Sequence, residues 1–230
     1  MTAVSERLQT DAEFLLSMAK LVEERHKMPP HIGSFIFGGF VRDMLLDKPP
    51  HDIDVSVPNC DVAYEFIEQL NLCGCLKSLE TKSIIDAPGF SQLEYYCHKL
   101  VVKTPRNGEV SVDLTYSQAT SLGVNSMGNC DFTVDNLQMD HAGKISTRIK
   151  ACQIGLIVSE PEWTARCIRD VMKGKLVWMI PDRFSKSMGA TEELRAEFMQ
   201  KMRERLQKMQ DNGFVLAKEK NRYLTSFRLE

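Results

Sequence analysis

The chain has 230 residues, 43% of them hydrophobic and 26% charged, and its formal net charge is −2 at pH 7. This composition is typical of a globular protein with one large or two small domains. No apolar run approaches the roughly 18 residues of a membrane span, and the N-terminus lacks the charged-then-apolar layout of a signal peptide. We therefore predict that the protein has no membrane partner.

The seven cysteines do not form a zinc-binding pattern. The tightest pair, Cys73 and Cys75, misses the two-residue gap of a structural zinc site. Free thiols are typical of a reducing compartment. The cysteines therefore predict a cytoplasmic protein, with the nucleus as the alternative compartment.

The first predicted element is a helix over residues 5–26, with Leu8, Leu15, Met18 and Val22 as a rough apolar face. A short apolar strand over residues 34–37 follows.

Two glycines end this strand, and a pattern typical of a helix follows over residues 41–46. Glycine lets backbone N–H groups approach a ligand closely, and a helix N-terminus favours an anion. Gly38 and Gly39 therefore predict a phosphate-binding turn. Arg42 lies in the first turn of the helix and is the predicted phosphate clamp.

Residues 52–57 alternate polar and apolar side chains, which predicts a strand that buries Ile53, Val55 and Val57 on one face. Asp52 and Asp54 then share the other face, roughly 6 to 7 Å apart. Two carboxylates at this distance repel each other unless a cation lies between them, and hard oxygen ligands select Mg²⁺ or Mn²⁺. We therefore predict a site for these ions.

The segments GGFVRDMLL, from Gly38, and HDIDV, ending at Val55, together resemble the signature of class II tRNA nucleotidyltransferases (CCA-adding enzymes) and bacterial poly(A) polymerases. These enzymes belong to the polymerase-β-like superfamily. The resemblance implies that Gly39 and Arg42 contact a nucleoside triphosphate and that Asp52 and Asp54 bind two catalytic metal ions. It also implies that Asp43 is a local hydrogen-bond partner.

An amphipathic helix is predicted over residues 62–70, followed by paired strands over 93–103 and 109–115. Asp113 lies on the second of these strands, where the family carries its third carboxylate. The resemblance therefore implies that Asp113 is a third metal ligand, whereas the residue pattern alone allows an exposed strand aspartate.

Two further segments extend the resemblance to about residue 175. CDFTVDNLQMD, from Cys130, is similar to the family segment RRDFTINAL, which implies a nucleotide-binding role for Asp131. The helix predicted after Pro161 is similar to the family's EDPxRLLR helix and implies that Arg166 and Arg169 contact the nucleotide. Trp163 takes the place of a base-reading aspartate, and its indole is able to stack on a base.

The C-terminal part of the chain is basic and mainly helical in pattern. Residues 141–230 carry 18 Lys and Arg against 11 Asp and Glu, a net charge of +7, which favours this part as the nucleic-acid side. Its most basic helix also has an apolar stripe that predicts packing against the core or a partner helix. The stripe is formed by Leu194, Phe198, Met202, Leu206 and Met209.

Together these features predict a mixed α/β fold. They divide the chain into an N-terminal helix (1–30), a polymerase-β-like head domain with a small mixed sheet (31–148) and a helical, neck-like region (149–230). The leading functional hypothesis is an RNA 3′-terminal nucleotidyltransferase that uses ATP or CTP with magnesium.

Two other functions stay open. In the first, the protein transfers a nucleotide to a protein or a small molecule. In the second, it is an inactive RNA-binding or scaffold derivative. The long RNA-gripping regions of the family have no counterpart in the matched part. We therefore expect either that a second copy or a partner subunit helps to hold the RNA, or that the substrate is shorter than a tRNA.

Overall fold

The computed structural model describes residues 3–29, 32–84, 95–106, 108–117, 132–154, 156–177, 179 and 192–217. Its helices are α1 (Ala3–Arg25), α2 (Gly39–Leu45), α3 (Cys60–Leu72), α4 (Glu160–Met172) and α5 (Glu192–Asp211). Its strands are β1 (Phe35–Phe37), β2 (Ile53–Ser56), β3 (Leu76–Ile84), β4 (Tyr95–Thr104), β5 (Gly108–Ser117), β6 (Leu137–Met139), β7 (Ile145–Thr147), β8 (Lys175–Leu176) and β9 (Val215–Leu216).

Strands β1 to β7 form one mixed sheet in the order β3-β4-β5-β2-β1-β6-β7. β2 and β5 are parallel, whereas the other neighbouring strands of this sheet are antiparallel. Parallel neighbours need a long crossover, and α3 with the β3–β4 hairpin supplies it. The crossover places β2 at the centre of the sheet, between β1 and β5. The predicted mixed α/β class is confirmed.

The predicted strands at 34–37, 52–57, 93–103 and 109–115 correspond to β1, β2, β4 and β5. The apolar face predicted for β2 is also confirmed, because Ile53, Val55 and Val57 are buried. Strands β3, β6, β7, β8 and β9 were not predicted. β3 lies at the sheet edge and is largely exposed. The other four are short, with three residues each in β6 and β7 and two each in β8 and β9.

One apolar core joins the helices to the sheet. α1 contributes Leu15, Leu16 and Val22, α3 contributes Phe66 and further buried residues, and α5 contributes three more from its C-terminal half. These last three, Met202, Leu206 and Met209, belong to the predicted apolar stripe of the basic helix. The stripe thus packs on the core, as predicted, while the side chains of Leu194 and Phe198 lie outside the described residues.

The described residues of all three predicted parts of the chain enter this one core cluster. The boundaries at residues 30 and 148 stay predictions. Within the described ranges, no helix has the length and apolar character needed to cross a bilayer.

Candidate active site

Three carboxylates meet at the centre of the sheet. Asp54 on β2 is the register partner of Asp113 on the parallel strand β5, so their side chains lie side by side on one face. Asp52 precedes β2 and is two residues from Asp54, which places it on that same face. All three are partly exposed, in agreement with a site open to a ligand.

The negative charges at this face affect Asp54 strongly. Burial is the largest cause of its raised pKa, followed by the charges of Asp52 and Asp113, and together they raise the pKa of Asp54 to about 7. Arg148 opposes this shift, and Asp135 adds to it. A cation bound beside Asp54 would stabilise its ionised carboxylate, which is unfavourable without one.

The glycine turn lies directly against Asp54. Phe37, at the end of β1, is the register partner of Asp54, and Gly38 follows with a φ of +69°. A Cβ atom at Gly38 would lie 3.1 Å from Asp54 Oδ2, so both the backbone angle and the space favour glycine. Gly39 then begins α2. The structure thus brings the glycine turn and the carboxylates together.

Arg42 is engaged in ion pairs within this structure. Its Nε donates to Asp43 Oδ1 at 2.8 Å, and its Nη1 donates to Asp135 Oδ1 at 2.8 Å. Phe214, after α5, lies against the same guanidinium at 5.9 Å. The role predicted for Asp43, a local hydrogen-bond partner, is confirmed. A phosphate bound by Arg42 would have to share it with these two carboxylates.

Asp113 is held by a lysine. Lys99 on β4 is its register partner, and Lys99 Nζ donates to both carboxylate oxygens of Asp113, at 2.8 and 3.0 Å. The proximity of Asp113 to Asp54 follows the sequence-based prediction, but the ion pair was not predicted from the sequence.

α4 places its aromatic residue inside the protein. Trp163 is 1% exposed, and its Nε1 donates to the carbonyl oxygen of Ile149 at 2.9 Å. The ring of Trp163 therefore belongs to the core and is not available to stack on a base. The same helix begins at Glu160, with Pro161 as its second residue and a capping box formed by Ser159 and Glu162.

Arg166 and Arg169 line one cavity of about 350 Å³, together with Asp170, Lys173 and Lys175. The carboxylates of the β2–β5 face and Arg42 are not among the residues that line it. Asp131 lies outside the described residues. The nucleotide-binding roles of Arg166, Arg169 and Asp131 therefore stay predictions.

Sequence reasoning missed three residues of the site, Lys99, Asp135 and Arg148. Asp135 lies in the CDFTVDNLQMD segment and pairs with Arg42. Arg148 lies 3.9 Å above the ring of Phe37 and moderates the charge at Asp54. An acidic residue inside a recognised motif was the available signal for Asp135, whereas Lys99 and Arg148 carry no local signal.

The donor chemistry of this face fits Mg²⁺ or Mn²⁺, because Asp52 and Asp54 supply hard oxygen atoms and Asp54 is destabilised when ionised. The arrangement is not a closed cage. Among the residues that the structure describes, no group of three or more His, Cys, Asp or Glu side chains is arranged to hold a metal ion.

No model of a protein family matches the chain, and no curated protein matches it in sequence. Solved structures do match. An apo form of a CCA-adding enzyme is 17% identical with a TM-score of 0.50, over 91% of this chain and 40% of that enzyme. The chain has the fold of a CCA-adding enzyme head domain.

Two further structures match with slightly lower TM-scores. The Thermotoga maritima CCA-adding enzyme complexed with tRNA is 16% identical with a TM-score of 0.49, over 94% of this chain and 42% of that one. The Bacillus stearothermophilus CCA-adding enzyme in complex with CTP is 15% identical with a TM-score of 0.49, over the same shares. The chain therefore spans less than half the length of these enzymes.

Proposed function

We propose that the protein is a metal-dependent, template-independent RNA 3′-terminal nucleotidyltransferase. It transfers a nucleotide from ATP or CTP to the 3′-hydroxyl of an RNA. The observation that carries this proposal is the position of Asp54 beside the Gly38 turn, on the central strand of a sheet with the fold of a CCA-adding enzyme head, with Asp52 directly before that strand.

Each group on this face has a task in the proposed reaction. Asp52 and Asp54 hold Mg²⁺ or Mn²⁺, with Asp113 as the third carboxylate of the set. Divalent cations at such a set polarise the phosphoryl oxygens and stabilise the charge that develops during in-line displacement. The backbone at Gly38 and Gly39 has room for the triphosphate, because neither residue carries a Cβ atom.

The cationic residues handle the remaining phosphate charge. Arg42 is already oriented by Asp43 and Asp135, so its guanidinium is in place when a triphosphate enters. Arg166 and Arg169, in their cavity, contact nucleotide or RNA phosphates, and Asp131 contacts the nucleotide. We propose that a second copy or a partner subunit helps to hold the RNA, and that the reaction takes place in the cytoplasm or the nucleus.

The test is incubation of the purified chain with each labelled nucleoside triphosphate, Mg²⁺ and pooled RNA. We expect extended RNA with ATP or CTP. Asp52→Asn and Asp54→Asn should each lower incorporation by about 100-fold or more, because a metal-bound transition state loses several kcal/mol of stabilisation. Glu68→Gln, a neutral substitution on the exposed face of α3, is the control. Undiminished activity of both aspartate variants would refute the assignment.

The second candidate is an inactive RNA-binding or scaffold derivative. It is favoured by the Lys99–Asp113 ion pair and by the burial of Trp163, because both take residues at family motif positions away from a ligand. The same incubation separates the candidates. RNA that binds but is not extended supports the scaffold, and label on a protein or small molecule supports a nucleotidyltransferase with another acceptor.

A further inference from the structure

Lys99 places a positive charge beside the carboxylate face, which is formed by Asp52, Asp54 and Asp113. Its ammonium contacts both oxygens of Asp113 at 2.8 and 3.0 Å, and the side chain of Asp113 is only 17% exposed. The two residues are directly opposite each other on β4 and β5, so the geometry of the sheet holds them together. This pairing is set by the strand register and is independent of any loop.

Lys99 also lies in line with Asp54. Lys99 on β4 is the register partner of Asp113 on β5, and Asp113 is the register partner of Asp54 on β2. The three side chains therefore form a row across neighbouring strands, with the ammonium at one end of it, where its positive charge opposes the binding of further cations.

We infer that Lys99 holds Asp113 in an ion pair, so that the protein without substrate binds one divalent cation, at Asp52 and Asp54, instead of two. The inference rests on the proposed function and refines its metal site. Lys99 is then a positioning residue, because it acts on metal occupancy through Asp113. An ammonium beside Asp113 opposes a second cation in two ways, by occupying the carboxylate oxygens and by like-charge repulsion.

The test is a titration of the purified chain with Mn²⁺, followed by the electron paramagnetic resonance signal of the free ion. For the unaltered chain we expect one Mn²⁺ per chain. Lys99→Met keeps most of the aliphatic length of the side chain and removes its charge. We expect this variant to bind two Mn²⁺ per chain, with the second ion bound at least about tenfold more tightly than in the unaltered chain.

Three variants make the test specific. Lys99→Arg keeps the positive charge and should bind one ion. Lys103→Met removes an exposed lysine from the same strand and the same face, opposite Glu109, and should also bind one ion. Adding Asp113→Asn to Lys99→Met removes the carboxylate that was released and should cancel the gain. Lys99→Gln replaces Lys99→Met if circular dichroism shows that the latter does not fold.

The inference is overturned if the unaltered chain and Lys99→Met bind the same number of Mn²⁺ ions per chain, whether two, one or none. A gain that persists in the Asp113→Asn background also overturns it. Nucleotide incorporation tests the proposed function separately. An active enzyme with equal Mn²⁺ binding retains the function and rejects the role of Lys99, whereas an inactive chain that gains an ion retains the role of Lys99 and rejects the reaction.

Discussion

Replacing Asp54 by Asn should stabilise the metal-free protein at alkaline pH. The carboxylate of Asp54 lies beside Asp52 and Asp113, and its pKa is raised from 3.8 to about 7 by burial and by these charges. Asparagine has nearly the same shape but no charge. The substitution therefore removes an unfavourable ionisation while leaving the packing against Gly38 almost unchanged.

The sign and size of the effect follow from the pKa shift. Because the folded-state pKa is above the unfolded one, the folded protein binds more protons between about pH 4 and pH 7, and stability falls as pH rises through this window. A shift of about 3 units corresponds to about 4 kcal/mol at 1.36 kcal/mol per unit. Since the face is partly open to solvent, which screens charges, we expect about 2–4 kcal/mol.

The assay is urea unfolding with a chelator present, at a series of pH values from 4 to 8. The free energy of unfolding of Asp54→Asn should exceed that of the unaltered chain by about 0 at pH 4 and by about 2–4 kcal/mol at pH 8. Glu68→Gln, the exposed control, should differ from the unaltered chain by no more than about 0.5 kcal/mol throughout. At pH 8, added Mg²⁺ should stabilise the unaltered chain but not Asp54→Asn.

An Asp54→Asn variant whose stability followed the same pH curve as that of the unaltered chain would contradict this prediction. Such a result would mean that the ionised carboxylate is well accommodated without a cation. A pH-dependent difference that Mg²⁺ does not remove would keep the electrostatic account and reject Asp54 as a metal ligand.

Two other substitutions test the packing around the site. Trp163→Ala should lower the free energy of unfolding by about 3–5 kcal/mol, since it leaves a cavity and removes one of the two hydrogen bonds that the Ile149 carbonyl accepts, the other coming from Asn136. A loss of stability below about 1 kcal/mol, measured by thermal unfolding, would contradict the buried position of the ring. Arg42→Met should lower the free energy of unfolding by about 2–4 kcal/mol, because Asp43 and Asp135 lose the guanidinium that they share. Arg42→Lys should recover part of this loss. If urea unfolding shows no destabilisation by Arg42→Met, these ion pairs do not contribute to stability.

Much of the fold was accessible from local patterns. Alternation of side chains predicted β2 and its buried face, and amphipathic spacing predicted α1 and α3. The edge strand β3 was missed because its sequence, LKSLETKSI, is largely polar and it is a strand through its pairing with β4. Short strands such as β6 carry too few residues for a periodic signal and likewise depend on their neighbours.

The candidate site was predictable to the extent that its residues are close in sequence. The spacing of Gly38, Asp52 and Asp54 predicted one site, and the structure brings these residues together. The Lys99–Asp113 pair depends on strand register, which the sequence does not reveal. The burial of Trp163 did have a signal, because Trp163, Cys167 and Val171 recur at every fourth position and all three are buried.

Because β2 and β5 are parallel, assembly of the site depends on the pairing of two strands that are distant in sequence, and such pairing is slow in small domains. Asp54 and Asp113 are separated along the chain by the whole crossover, a helix and a hairpin, and bringing them together has an entropic cost of loop closure that local contacts do not have. A nascent or truncated chain that ends before β5 has Asp52 and Asp54 but not their neighbour. The complete set of three carboxylates therefore exists only in the folded sheet.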